Sequence, residues 1–293
     1  MKSKVFFHLV AIFVVCVWGV TFINSKVLLL HGLAPHEIFQ IRFILAYVCI
    51  WFISPKRLWA DNLKDELLLV VLGIMGGSLY FLAENTAVGI SYVNNVAFII
   101  CTAPLMTILL SIALHMVRVT PCLIVGSLVA LVGVALVIYN GRFILQLNPL
   151  GDILALVAAF TWAVYSLIVK KLNHYDSTFI TRKVFFYGLL TMLPYFLVRP
   201  WRFPLANLTD TVVWGNLLFL GVIASFVCFV LWNVAIRKIG VISTSNFIYL
   251  NPVTTMIASA IFLDEPVTWI AFLGSLLILI GVYLSNRHIV YLK

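Results

Sequence analysis

Ten apolar runs, each bounded by charge, proline or glycine, follow one another along the 293 residues with little between them. They fall at about 6–30, 37–53, 67–88, 92–116 and 121–140, then at 150–172, 177–198, 212–236, 241–263 and 267–285. A helix that crosses the hydrocarbon layer needs roughly 20 mostly apolar residues. Ten of them with short connections consume nearly the whole chain and leave no room for a water-soluble domain. With 63% hydrophobic and only 10% charged residues, the chain carries more apolar surface than a soluble core of this length buries. Lipid also forbids unpaired backbone polar groups, so the expected fold class is an all-α membrane protein with ten transmembrane helices. The first run follows Lys2 and Lys4 but shows no small-residue cleavage site, so it is expected to be kept as a spanning helix.

The formal charge of +9 does not point to nucleic acid, because the basic residues sit singly or in pairs between apolar runs. They act instead as topology determinants. Lys2, Lys4, Lys56, Arg57, Lys64, Arg118, Lys170, Lys171, Arg182, Lys183, Arg237, Lys238, Arg287 and Lys293 share one side, against Arg142, Arg199 and Arg202 on the other. Basic flanks stay in the cytoplasm, which places both termini there for a multi-pass protein of the cell (inner) membrane. Cys16, Cys49, Cys101, Cys122 and Cys228 are scattered in apolar runs, with neither disulfide nor metal-ligand spacing.

Sliding the third to fifth runs by 148 positions superposes Gly73 on Gly221, Phe81 on Phe229, Asn85 on Asn233, Pro104 on Pro252, Thr107 on Thr255, Gly126 on Gly274 and Gly133 on Gly281. Such matches are informative because apolar letters coincide easily in membrane helices whereas Gly, Pro and Asn do not. Trp18 meets Trp162 and Lys26 meets Lys170 at a shift of 144, and Arg42 meets Arg182 at 140. The chain reads as two copies of a five-helix unit, 1–145 and 146–293. An odd number of spans per copy turns the copies over relative to each other, the inverted-repeat plan of many secondary transporters.

Several polar or irregular positions stand out. Pro104 and Pro252 remove the helical partners of the Ile100 and Ile248 carbonyls, so each marks a kink and a candidate hinge. Glu84 lies within a span, one turn after Tyr80 and beside Asn85. A buried carboxylate is costly in hydrocarbon, so Glu84 is a candidate coupling or cation-contacting group, against the plainer reading of a shallow hydrogen-bonded acid. The shift of 148 sets Trp232 opposite Glu84 and Cys228 opposite Tyr80. Trp18 and Trp162, with Tyr165 nearby, lie too deep in their runs for an interfacial belt and are candidate walls of a site. Asn95, Asn246, Tyr249 and Asn233 supply hydrogen-bonding groups that either contact a polar solute or join helices. Lys26 and Arg42 are expected to snorkel to the surface rather than turn inward. The tripeptide from Asn207 to Thr209 matches a glycosylation acceptor.

The segments VWGVTFINSKVLL, IRFILAY, APLMTILLSIAL, AAFTWAVYSLIVKKL, NPVTTMIASAIFLDE and FLGSLLILIGVYL resemble, in their order and duplication, the drug/metabolite transporter superfamily, specifically its EamA-type ten-helix exporters. The resemblance covers nearly the whole chain. It implies a carrier with a central cavity between two inverted halves, exporting amino acids, other metabolites or toxic compounds. Members commonly carry an acid after the fourth and ninth helices; Glu265 fits the second place, whereas Val117 occupies the first. Gly126 with Gly133 and Gly274 with Gly281 look like the seven-spaced glycine face by which smaller relatives pair helices; within one chain it would pair the fifth and tenth helices, compatible with a monomer.

The expectation is therefore a secondary transporter of a small-molecule substrate, with protons as the first guess for coupling, lipid as surroundings, and neither cofactor, metal nor nucleic acid. Its candidate substrate-binding residues are Trp18, Glu84, Asn85, Asn95, Trp162, Tyr165, Asn233, Asn246 and Tyr249, its coupling residue Glu84, and its hinges Pro104 and Pro252. No ATP-binding loop, metalloprotease motif, nucleophile elbow or paired carboxylates appear, so an enzyme is not expected. An exchanger of anionic metabolites is the alternative within transport; an intramembrane lipid enzyme and a non-transporting membrane protein are the alternatives outside it.

Overall fold

The computed structural model describes residues 2–54, 59–91, 93–118, 120–139, 148–262, 268–287 and 289–291. Glu265 and the basic residues Lys56, Arg57, Arg142 and Lys293 lie outside them. Among the described residues nearly everything is helical. The exception is an antiparallel pair, β1 (Val117–Arg118) with β2 (Val290–Tyr291), which ties together the chain beyond the fourth run and beyond the last.

The chain begins with α1 (Lys2–Leu30) and α2 (Pro35–Ile53). A third rod follows as α3 (Leu63–Gly73), a π-helical turn (Ile74–Ser78) and α4 (Leu79–Ile90). It starts earlier than the apolar run because Asn62 caps it, its side chain accepting from the Asp65 amide at 2.8 Å. Next come α5 (Val93–Ile100), α6 (Ala103–Ala113) and α7 (Pro121–Tyr139). The break between α5 and α6 sits where Pro104 withholds an amide hydrogen.

The second set begins with α8 (Pro149–Lys171), whose Asn148 cap accepts from the Gly151 amide at 3.1 Å, and α9 (Ser177–Val198). Then come α10 (Thr211–Leu218), a π-helical segment (Phe219–Val227) and α11 (Cys228–Ile239). Gly240 turns the chain at φ 91°, in the left-handed region that suits glycine, into α12 (Val241–Ser245). A 3₁₀ turn (Asn246–Leu250) leads into α13 (Asn251–Phe262), and α14 (Trp269–Arg287) closes the bundle.

Eight helices among the described residues are long and apolar enough to cross a membrane. The chain is thus a multi-pass membrane protein by composition and helix length. Two of the ten expected spans are not among the eight. One is α9, which has the bounds read from the sequence but carries Arg182, Lys183 and Pro194. The other is the ninth run, which is divided into α12, the 3₁₀ turn and α13 ahead of and through Pro252.

The sequence repeat is visible in the irregular backbone. The π-helical segments Ile74–Ser78 and Phe219–Val227 coincide under the shift of 148, as do the interruptions preceding Pro104 and Pro252. Packing repeats as well: α8 lies against α4 and α6, and α1 lies against α11 and α13, the corresponding partners. The matched helices α7 and α14 run antiparallel, because Gly126 faces Gly281 and Ser285 while Gly133 faces Gly274 and Ile278.

Contacts define the two ends of the bundle. At the end where α1 begins, Lys238 lies over the Phe7 ring at 5.8 Å, Arg237 pairs with Asp176 at 3.6 Å, and the Tyr175 hydroxyl donates to Asp65 at 2.9 Å. At the opposite end, Glu37 accepts from the amides of Arg202 and Phe203 at 2.6 and 3.0 Å, and Asn148 donates to the Ile90 carbonyl at 2.6 Å.

Candidate functional site

A cavity of about 30 Å³ lies between the two sets of helices. Trp18, Thr21 and Phe22 from α1, Arg42 from α2, Tyr80, Phe81 and Glu84 from α4, and Trp162 from α8 form most of its wall. Ile100, Phe229, Ile248 and Asn251 complete it. Two of these contributors are the ends of interrupted helices: Ile100 is the last residue of α5, and Asn251 the first of α13. The proline-linked breaks thus deliver backbone and side-chain polar groups to the middle of an apolar bundle, where an unbroken helix presents only side chains.

The tryptophans form the floor. Trp18 and Trp162, equivalent under the repeat, meet edge to face with centroids 5.1 Å apart, and Trp232 lies 4.9 Å from Trp18. Tyr165 stacks on Trp162 at 5.0 Å, one turn nearer the end where α1 begins. Its hydroxyl donates to Asn233 Oδ1 at 2.7 Å, and Asn233 Nδ2 donates to Thr181 Oγ1 at 2.9 Å. This hydrogen-bonded chain joins α8, α11 and α9 and closes the bundle beneath the tryptophans. Further out, Lys183 on α9 pairs with Glu66 on α3, Tyr187 donates to the same carboxylate, and Arg182 donates to the Ser54 carbonyl.

Charge is concentrated on the other side of the floor. Arg42 is only 2% exposed; its Nε donates to Ser225 Oγ at 2.9 Å and its guanidinium lies 4.2 Å over the Phe81 ring. The sequence reading that Arg42 snorkels to the surface is overturned. Close approach of α2 to the π-helical segment at Gly221, where an added Cβ would meet Arg42 and Leu45, holds the residue inward. Glu84 is 7% exposed and accepts from the Tyr80 hydroxyl at 3.2 Å. Lys26, by contrast, donates to the Val88 carbonyl at 3.0 Å near the end of α4 and does not line the cavity.

The two copies are not equal here. Trp18 Nε1 donates to the Ala224 carbonyl at 2.9 Å, a group inside a π-helical segment, where the regular i→i+4 ladder is interrupted. The matching donor, Trp162 Nε1, is buried without a partner among the described residues. Where the first copy carries Tyr80 and Glu84, the second carries Cys228 and Trp232, both fully buried, and Trp232 fills the volume with an indole.

The other candidates are distributed between helices. Asn85 donates to the Pro35 carbonyl at 3.3 Å and Asn246 to Asn286 at 2.9 Å. Tyr249 is fully buried, and Asn95 lies half-buried on α5; neither is in the cavity wall. Thr21, Arg42, Tyr80 and Asn251 are the polar wall residues absent from the candidate set. A full charge seven residues after Pro35, within an apolar run, was the signal for Arg42.

With the geometry in view, the comparisons with known proteins decide the family. The model described as "EamA-like transporter family" matches twice, over residues 5–139 and 149–287. The chain belongs to the EamA-like transporter family. Two matches of similar length agree with the repeat read from glycines, prolines and asparagines. An "Uncharacterized transporter" of Archaeoglobus fulgidus is 27% identical over 98% of each chain. A "Probable amino-acid metabolite efflux pump" of Escherichia coli is 26% identical over 94% of this chain and 93% of its own. A "Probable terminal-alkyne amino-acid exporter" of Streptantibioticus cattleyicolor is 26% identical over 80% and 78%. A crystal structure at 15% identity superposes with a TM-score of 0.75 over 96% of this chain and 98% of that one, a likeness of fold. This EamA-like protein is a membrane transporter and not an enzyme.

Proposed function

We propose that this EamA-like protein is a secondary carrier that exports a small metabolite, an amino acid or a related compound, across the cytoplasmic membrane by alternating access. In this reading ten spans form two inverted five-helix halves, 1–145 and 146–293, with both termini in the cytoplasm. The observation that carries it is the cavity itself: ionisable and aromatic groups converge between equivalent helices of the two copies, in the middle of the bundle. Its volume of about 30 Å³ has room for about one water molecule, so a solute is admitted only if the helices move. The antiparallel seam of α7 and α14 supports inversion, and the breaks before Pro104 and Pro252 are natural hinges for such movement. The names of the relatives support export of amino-acid compounds.

Reconstitution in vesicles with and without an imposed pH gradient tests the reading. Solute loss that depends on the protein and steepens with the gradient is expected. Replacing Glu84 with Gln is expected to flatten the dependence on pH; a variant with an unchanged profile removes Glu84 from coupling. A second reading, exchange of anionic metabolites, is favoured by one observation, the burial of Arg42 in the cavity wall.

A further inference from the structure

The cavity holds charges of both signs. Arg42 and Glu84 line the same small space, each shielded from water, so the wall as a whole is close to electrically neutral. A simple anion bound against Arg42 meets the repulsion of Glu84, and a simple cation bound against Glu84 meets that of Arg42. In a low-dielectric site such unmatched charges are strongly disfavoured. A solute bearing a carboxylate and an ammonium group a few bonds apart satisfies both at once. We infer that Arg42 and Glu84 are the specificity-determining pair of this carrier, Arg42 receiving the carboxylate and Glu84 the ammonium group of a dipolar solute. The inference rests on the transport reading above and deepens it to residues.

Three further observations agree. Ser225 occupies only Nε of Arg42, and the contact with Phe81 is through the face of the guanidinium; the terminal amino groups, which form the fork for a carboxylate, are used by neither. Tyr80 holds the Glu84 carboxylate from the adjacent turn, fixing its direction. The wall also contains an unused donor, Trp162 Nε1, and an unused acceptor, Asn251 Oδ1, both buried without a hydrogen-bond partner among the described residues. Buried polar groups of native proteins are normally paired, so a donor and an acceptor both left open beside an Arg and a Glu are what a dipolar ligand completes. The rest of the wall, Trp18, Phe22, Phe81 and Phe229, is apolar and suits a hydrocarbon or aromatic substituent. Because the second copy has Trp232 at the position that matches Glu84, the pair exists once, and one solute binds per chain.

The test uses the full chain in proteoliposomes loaded with an equimolar mixture of the L-amino acids, with the corresponding amino-acid amides, or with the N-acetyl amino acids. Mass spectrometry follows what leaves. The expected result is that at least one amino acid leaves at least ten times faster than its amide, which lacks the carboxylate, and its N-acetyl form, which lacks the ammonium. Arg42→Gln is expected to slow that amino acid at least tenfold and to abolish its advantage over the amide. Glu84→Gln is expected to abolish its advantage over the N-acetyl form, and Arg42→Lys to retain part of the selectivity. If a variant elutes aggregated, the wild-type preference among the three solute forms together with Arg42→Lys decides the matter. The inference is overturned if wild-type protein moves the amide or N-acetyl form as fast as the parent, or if well-folded variants slow all three forms equally. Transport of other charged metabolites with every amino acid left behind overturns the inference alone. A wild-type protein that moves no solute of any class overturns the carrier reading beneath it.

Discussion

Adding a single methyl group at Gly281 is expected to loosen the seam between α7 and α14. A Cβ there would lie 2.4 Å from the Ala130 amide nitrogen and 2.6 Å from the Gly126 carbonyl oxygen, about 1 Å short of ordinary 3.4 Å contact. Both obstacles are backbone, so no side-chain rotation relieves them and the helices themselves must part. Overpacking of this kind costs about 1–3 kcal/mol, while alanine recovers about 0.5–1 kcal/mol of helix propensity relative to glycine. The difference spans about 0–2.5 kcal/mol; with backbone on both sides of the clash a loss of about 1–2 kcal/mol is expected, which lowers the folded-to-unfolded ratio roughly 5- to 30-fold. Gly133→Ala is expected to act alike, since its Cβ would approach the Gly274 oxygen to 2.6 Å. Gly215 provides the control: nothing lies within 4 Å of a Cβ built there, so Gly215→Ala is expected to be neutral or to stabilise by up to about 1 kcal/mol. Unfolding of the purified variants in mixed micelles, followed by tryptophan fluorescence, measures these differences. Gly281→Ala with the stability of wild type, or shifted like Gly215→Ala, would refute the argument for a backbone-to-backbone seam.

Tyr165→Phe deletes the donor to Asn233 and leaves a buried amide oxygen unpaired, an expected loss of about 1–3 kcal/mol that the same unfolding assay reads; an unaltered midpoint counts against the hydrogen-bonded floor. Lys183→Met strips Glu66 of its buried partner, with an expected loss of about 3 kcal/mol. Because the pair joins α9 to α3 at the end where α1 begins, a cysteine placed at Thr181 is expected to react faster with a soluble maleimide in that background; equal labelling rates would deny the pair a part in closing that end.

Much of the plan was legible in one dimension because lipid removes alternatives. Runs of apolar residues long enough to span hydrocarbon have to be helices, and the rods begin and end within a few residues of the runs read from the sequence. The repeat was legible at Gly, Pro and Asn because backbone geometry constrains those letters where apolar ones interchange freely. Pro104 and Pro252 forecast the interruptions of their rods, and the glycines spaced by seven forecast the seam.

The wall of the cavity was only partly legible. Trp18, Glu84 and Trp162 line it, whereas Asn85, Asn233 and Asn246 join helices, and Arg42 turned inward against expectation. The apolar residues of a helix such as α2 are spread around its whole circumference, so its sequence carries no stripe to fix its rotation about its own axis. The sequence by itself therefore determined the membrane class, the helices, the duplication and the places where the backbone breaks, since each follows from local chemistry in a uniform solvent. Only the tertiary structure decided which side of each helix faces the centre, because that depends on which neighbours approach closely at Gly73, Gly221 and the π-helical turns. The meeting of Arg42 with Glu84 is a product of those rotations.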